Sequence, residues 1–253
     1  MKKLLFLTLL VLLAFTSGLL AAVHIGVNAG YSYATLDDMK AGFQAVKTQA
    51  LAASKTAKVS DFGTSVFANF DLDIGLTDVL TFGPRSGVQY VFPVELNTDI
   101  VDSLTNTKIT YSAFLIPIML GANVNLKIPI TAVQLTIGGF AGYGIAFVNN
   151  KVVSASGFVA PYDVKSFNSV YRGGGLMYEA SGAFEIFLSN FFTISLNLGY
   201  RVAKFSNLRT IDKVEIAGHT IIAQNQPLTD ITGQTRTVDF SGFNGGIGLN
   251  LRF

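Results

Sequence analysis

Seven charged side chains lie in stretches of the sequence that otherwise alternate between apolar and small polar residues. Carboxylates and guanidinium groups at such spacing can relay a proton or an ion, or can neutralise one another inside a narrow interior. A tight turn midway between Asp71 and Arg85 pairs them on one face of a sheet, and a turn about Asn190 pairs Glu179 with Arg201. We therefore predict an inward-facing structural charge network, with an ion path as the alternative. Its members are Asp71, Asp73, Arg85, Glu179, Glu185, Arg201 and Arg252.

Histidine chemistry is scarce in this chain. His24 and His219 are the two histidines, and cysteine is absent. A general base needs an acid or a nucleophile within hydrogen-bond reach, and neither histidine has one at a suitable spacing. Two histidines so far apart also make no zinc motif. We therefore expect no enzyme, no metal site and no cofactor.

Alternation along the chain predicts the elements that position these charges. Apolar residues recur at every second position in eight stretches, which is the period of a β-strand. Short and long connections alternate between them, as in an all-β, eight-stranded antiparallel up-and-down transmembrane β-barrel with short periplasmic turns and long extracellular loops. The predicted strands are 23–34, 62–76, 80–94, 108–126, 130–148, 173–188, 191–205 and 238–253.

Composition and charge agree with an exported membrane barrel. Residues 1–22 have two lysines, an apolar stretch and small residues, the layout of a cleaved signal peptide, which leaves 23–253 as a single barrel domain. Loss of Lys2 and Lys3 takes the basic residues from 18 to 16 against 16 acidic ones, so nothing attracts nucleic acid. Half of the residues are hydrophobic and 13% are charged, which is oily for a secreted domain. A closed barrel lets such a chain cross a bilayer without helices.

The composition of the polar face indicates whether the apolar face of the strands points outward or inward. A soluble periplasmic lipocalin-like binder shows the same alternation with the oily face inward. Here the polar face is rich in Gly, Ser, Asn and Thr and has few of the Lys and Glu residues that keep a soluble surface wet. We therefore place the oily face in the lipid bilayer and keep the soluble binder as the alternative.

The predicted interior also contains oily side chains. Phe67, Phe140, Met177 and Phe240 fall on the inward face, so a cavity that binds or passes a small apolar ligand is a second alternative to a plugged lumen. Pro117 cannot donate to a ladder of hydrogen bonds, and we expect a bulge or a local distortion there.

Two loop segments carry patterns of their own. Leu36, Met39, Phe43, Val46 and Ala50 form one stripe of a helix, which we interpret as a lid over the barrel mouth, with a gate or partner-binding helix as the alternative. The segment 211–223 is expected to form a hairpin whose edge is open to a surface partner.

The last ten residues, "NGGIGLNLRF", resemble the C-terminal assembly signal of bacterial outer-membrane barrels, on Asn244, Gly246, Leu249, Leu251 and Phe253. The stretch "AFLIPIMLG" is similar to the "YLEIP" of OmpA/OmpX-like small eight-stranded barrels, with a leucine in place of the acidic residue. The resemblance implies a location in the bacterial outer membrane and insertion by the barrel assembly machinery, whose receptor reads Leu251 and Phe253. The oligomeric state is open, with a monomer favoured.

Overall fold

The computed structural model describes residues 22–52, 55–61, 63–101, 104–129, 132–154, 166–216, 219–229 and 234–253, and only the backbone of 100, 101, 104–106, 216 and 219. The predicted signal peptide lies outside them, apart from its last residue. In the part of the chain so described, no helix is both long enough and apolar enough to cross a membrane.

Eight long strands close into a ring, as the alternation predicted. They are β1 (Val23–Tyr33), β3 (Thr64–Gly75), β4 (Leu80–Val101), β5 (Leu104–Lys127), β6 (Val133–Val153), β7 (Ser166–Phe187), β8 (Phe192–Val202) and β14 (Gly242–Arg252). Each pairs antiparallel with the next, and β14 pairs with both β8 and β1. Closure pairs both edges of each strand over the length that all eight strands share.

Short elements lie at the end of the barrel that carries the long loops. They are helix α1 (Asp37–Ala52) and strands β2 (Ala57–Val59), β9 (Lys204–Phe205), β10 (Arg209–Thr210), β11 (Val214–Ile216), β12 (His219–Ile222) and β13 (Val238–Asp239). Strands β11 and β12 pair as the predicted hairpin, within a sheet of their own.

The opposite end has tight turns fixed by hydroxyl groups. Thr77 Oγ1 accepts a hydrogen bond from Leu80 N at 2.9 Å, and Ser189 Oγ accepts one from Phe192 N at 3.1 Å. Such hydroxyl-capped turns hold the register of the hairpins they join.

The predicted ends of six strands were wrong. Strands β4 to β7 continue well beyond the membrane-length segments, because α1 covers the inner face of their extensions. Strand β8 ends at Val202, three residues early, and β14 begins at Gly242, four residues late. Gly242 has φ +153°, and a Cβ there would lie 1.7 Å from the carbonyl oxygen of Tyr33, so the chain bends at this glycine.

At Pro117 the structure has a local distortion and no bulge. Pro117 pairs with Gly144 without a change of register, although the β4–β5 pairing lapses briefly beside the proline. The register shifts instead between Val91 and Val94, where β4 carries Pro93. A bulge accommodates a residue that cannot donate to the ladder.

The outer wall of the barrel is apolar and exposed. Leu198, Phe243 and Leu176 are 72%, 71% and 69% exposed, whereas the inward polar residues are buried. A water-soluble barrel would bury these side chains, since soluble monomers rarely expose a continuous apolar belt. The lipocalin-like alternative is therefore wrong.

Candidate functional site

Two arginines and two carboxylates form an ion-paired layer across the middle of the lumen. Arg85 Nε lies 2.5 Å from Asp71 Oδ1, and Arg85 Nη1 lies 2.6 Å from Glu179 Oε1. Arg201 binds the other oxygen of Glu179, at 2.8 Å from Nε. Asp71 is opposite Arg85 and Glu179 is opposite Arg201, in the registers that the two turns predicted. The contact between Arg85 and Glu179 joins opposite walls, so this layer crosses the lumen.

Uncharged side chains extend the layer to the remaining wall. Arg201 Nη1 donates to Gln89 Oε1 at 2.8 Å, and Gln89 Nε2 donates to Ser32 Oγ at 2.9 Å. Asn28 Nδ2 donates to Asp71 Oδ2 at 2.5 Å. Since most of the polar atoms in this layer have partners, the layer avoids most of the cost of buried unsatisfied groups.

A second, smaller cluster lies nearer the tight turns. Arg252 Nη2 forms an ion pair with Glu185 Oε2, and the guanidinium lies 4.4 Å from the ring centroid of Phe187. Thr136 Oγ1 donates to Glu185 Oε1 at 2.9 Å. Asp73 accepts a hydrogen bond from Asn123 at 3.0 Å and belongs to neither cluster. The seven predicted charges therefore form two ion-paired groups with Asp73 between them.

A polar cavity of about 50 Å³ separates the two clusters. It is lined by Asp73, Arg85, Glu185 and Arg252, among other polar residues. Within the described residues, Asp73 Oδ1 and Arg252 Nε are buried without a hydrogen-bond partner. A water needs roughly 10–15 Å³ and two or more polar partners, so this cavity has room for a few. Below it, a vestibule of about 350 Å³ is lined by His24, Lys127 and other residues at the turn end.

An apolar cap fills the lumen on the loop side. Its largest buried members are Phe205 and Phe240, which lie 6.0 Å apart between ring centroids. Phe205 reaches this position because Gly144 has no side chain: a Cβ there would lie 2.7 Å from Phe205 Cζ. Other buried members of the cap are Leu36, Met39, Leu115, Met119, Met177, Leu208, Leu228 and Val238.

The cap occupies the region where an apolar ligand cavity was the alternative. Met177 and Phe240 are buried in the cap, and Phe140 lies beneath the Arg85 guanidinium at 3.8 Å. Phe67 is buried on the inner wall outside that cluster. Phe140, Met177 and Phe240 share one buried cluster and Phe67 lies outside it, and the apolar ligand cavity stays a prediction. The sequence did not predict Phe205 as a member of the cap, because the alternation placed this residue in a wall strand.

Helix α1 lies above the cap. Met39, Phe43, Val46 and Ala50 are its buried residues, the stripe that the sequence predicted. They pack with extensions of the wall strands, including Leu96. Asp38 Oδ2 accepts a hydrogen bond from Thr237 N at 3.1 Å and ties the first turn to the last loop. The helix therefore packs on the loop side of the barrel, and its role as a lid stays a prediction.

The two histidines lie far apart in the fold. His24 lines the vestibule, and the backbone of His219 lies in β12 on the loop side. Among the residues that the structure describes, no group of three or more His, Cys, Asp or Glu is arranged to hold a metal ion.

The last strand closes the wall. Leu249, Leu251 and Phe253 point outward and are exposed, whereas Asn244 and Gly246 are half-buried on the inner side. Val23 N donates to Phe253 O at 3.0 Å and Phe253 N donates to Val23 O at 2.9 Å, so the ends of β1 and β14 meet.

Comparison with solved structures finds other barrels. Neisserial surface protein A is 8% identical, with 92% of this chain and 99% of that chain covered and a TM-score of 0.39. The outer membrane protein OprG from Pseudomonas aeruginosa is 11% identical, with 91% and 95% covered and a TM-score of 0.40. The outer membrane protease OmpT from Escherichia coli is 8% identical, with 92% and 97% covered and a TM-score of 0.46. No family model matches the chain, and no curated protein matches it.

Proposed function

We propose that this protein is an outer-membrane barrel with a closed lumen, whose role is structural or one of surface interaction through its loops. The observation that carries the proposal is the distribution of side chains, which is the reverse of that in a soluble barrel. Apolar side chains are exposed on the outer wall, and an ion-paired layer crosses the inside. An apolar wall of this kind is stable in lipid, and a barrel satisfies its backbone groups there.

The closed lumen is supported by two barriers of different chemistry. The layer of Arg85, Glu179 and Arg201 blocks the middle, and the cap around Phe205 blocks the loop side. A solute crossing the barrel would have to displace both. The geometry therefore favours the plugged barrel over a ligand-passing one, and the ion pairs of Arg85, Glu179 and Arg201 count against an ion path.

Biogenesis follows from the resemblance of the last strand. The proposal includes export by a cleaved signal peptide over residues 1–22 and insertion by the barrel assembly machinery, with Leu251 and Phe253 as the residues it reads. Both side chains are exposed at the turn end of β14, where a receptor can reach them. A monomer suffices, because β14 and β1 already close the ring.

Surface interaction is assigned to the loop side. There the hairpin of β11 and β12 stands apart from the barrel sheet, so its backbone edges offer pairing to an extended partner segment. No catalytic role is proposed.

The first test is electrophoresis of the detergent-refolded protein in SDS, with and without boiling, followed by conductance in a planar bilayer. A faster-migrating unboiled band together with silent bilayers supports a closed membrane barrel. Identical mobility in both lanes and solubility without detergent would overturn the membrane placement. Steady single-channel currents would overturn the plugged lumen.

A further inference from the structure

The barrel wall has a gap on one side near the loop end. Strand β8 leaves β7 after the pair Val202 and Tyr178, and the short strand β10 joins β7 again at Arg172. In between, no described strand pairs with this edge of β7. The loop covers it instead, since Asn207 Oδ1 accepts a hydrogen bond from Gly174 N at 3.2 Å.

A pocket of about 500 Å³ lies outside the barrel at this gap. Arg172 and Arg209 line it together with Asn207, Tyr143 and Ile145. The first three offer hydrogen-bond donors, and the last two belong to the outward, apolar face of β6. The pocket is therefore cationic on one side and oily on the other, which suits an amphiphile.

Arg172 and Arg209 are directly opposite one another in the antiparallel pair of β7 and β10. Both side chains are exposed and face the pocket. Like charges at opposed positions of a sheet repel. Among the described residues, neither guanidinium has a carboxylate within ion-pair distance. Arg172 rests near the Phe147 ring, 5.9 Å from its centroid, and Arg209 Nη1 donates to the carbonyl of Asn225 at 2.9 Å. An anion between the two arginines would remove the repulsion.

The height of the pair on the wall indicates where that anion comes from. Arg172 is 14 residues along β7 from Ile186, whose exposed side chain lies near the turn end. At about 3.3 Å per residue and a strand tilt of roughly 40°, this separation corresponds to about 35 Å along the barrel axis. The apolar band of such barrels is about 25 Å tall, so the arginines stand at the headgroup level of the loop-side leaflet.

We infer that this pocket binds the phosphorylated headgroup of a membrane lipid. The phosphate lies between the guanidinium groups of Arg172 and Arg209, which match its oxygens in fork geometry, and the acyl chains run down the wall past Tyr143. The inference rests on the proposed membrane placement. It goes beyond that placement because an apolar wall in a bilayer does not by itself require a specific lipid site.

The test is native mass spectrometry of the full-length mature protein in detergent, titrated with dioleoyl phosphatidic acid. Dioleoylglycerol, which lacks the phosphate, and inorganic phosphate, which lacks the chains, are titrated in parallel. The variant is Arg172→Gln/Arg209→Gln. The control is Lys58→Gln/Lys151→Gln, which removes the same number of charges from exposed positions elsewhere on the loop side.

The expected result is that phosphatidic acid binds the wild type and the lysine control alike and binds the arginine variant at least about tenfold more weakly. Diacylglycerol should bind no better to the wild type than to the arginine variant, and inorganic phosphate should not compete at millimolar concentration. Equal affinity in the arginine variant and wild type would overturn the inference, as would an equal loss in the lysine control. Full competition by inorganic phosphate would replace the lipid site by a site for free phosphate.

The unboiled mobility of each variant in SDS separates this inference from the membrane placement. A heat-modifiable arginine variant that still binds phosphatidic acid refutes the lipid site alone. A wild type whose mobility does not change on boiling refutes the membrane placement, on which the lipid site depends.

Discussion

Arg85 joins opposite walls of the lumen, and its replacement by methionine tests whether the network is structural. In Arg85→Met, Asp71 keeps only its neutral partner Asn28, and Glu179 keeps Arg201. Breaking a buried ion pair by removing one partner costs about 3–5 kcal/mol, because the remaining charge stays buried. Methionine retains contact with Phe140 and offsets about 1 kcal/mol of that loss through its sulfur. We expect the free energy of unfolding to fall by about 3 kcal/mol.

The assay is urea unfolding in detergent, followed by circular dichroism and by the fraction of protein in the unboiled band. With a slope of about 2 kcal/mol per molar urea, the midpoint should drop by roughly 1.5 M. The matched control is Lys108→Met, which breaks the pair with Glu95 at 2.7 Å on the extended hairpin. Those side chains are 44% and 37% exposed, so the loss should stay below about 1 kcal/mol.

Equal losses in Arg85→Met and Lys108→Met would refute the reasoning, because burial would then make no difference. If Arg85→Met instead conducts ions while its urea midpoint is unchanged, the network is an ion path and its structural role is wrong.

Phe205→Ala empties the centre of the cap and should lower the free energy of unfolding by about 3–5 kcal/mol, measured in the same urea titration; a loss below about 1 kcal/mol would contradict the tight packing. Phe253→Ala should leave that titration within about 0.5 kcal/mol of wild type while reducing the heat-modifiable protein recovered from cell envelopes, and undiminished recovery would count against its role in assembly. Asp99 accepts hydrogen bonds from Thr56 N and Oγ1 at 3.0 and 2.6 Å, which lowers the pKa of its carboxyl group. The folded pKa lies below the unfolded one, so this contribution is complete above about pH 4 and is lost as the pH falls through the folded value. The hydrogen-exchange protection factor of the Thr56 amide should therefore fall below that pH in the wild type, and in Asp99→Asn it should not change with pH; identical protection profiles would refute the assignment.

Much of the wall could be predicted from the sequence because it is locally determined. Alternation fixes which side chains share a face, and a tight turn fixes the register of the hairpin it joins. Asp71 and Arg85, and likewise Glu179 and Arg201, are therefore found opposite each other as expected. The helical stripe from Met39 to Ala50 is local in the same sense.

The contents of the lumen could not be predicted in the same way. Arg85 meets Glu179 from a strand 94 positions away, and this contact depends on closure of the ring. Phe205 continues the alternation of β8 in the sequence. In the structure the chain turns into the lumen at this point, and Phe205 packs against Gly144, which has no side chain. The strand extensions were missed because α1 covers one of their faces, and the sequence of the strands alone does not show that cover.

The balance of charge in the lumen bears on what the barrel does. In the central layer, the negative charges of Asp71 and Glu179 balance the positive charges of Arg85 and Arg201. In the second, smaller cluster, Glu185 balances Arg252. Each cluster is neutral by itself, which lowers the cost of burying its charges in a narrow interior. Asp73 lies between the clusters and has no ion-pair partner among the described residues. A neutral layer with its donors and acceptors engaged has no spare ligand for a passing ion, and it resists the motion that passage would need. Selection of ions in pores uses rings of like charge, the opposite arrangement. Under the proposed function, this interior would hold the wall in shape, and recognition would fall to the loops and to the lipid-facing surface.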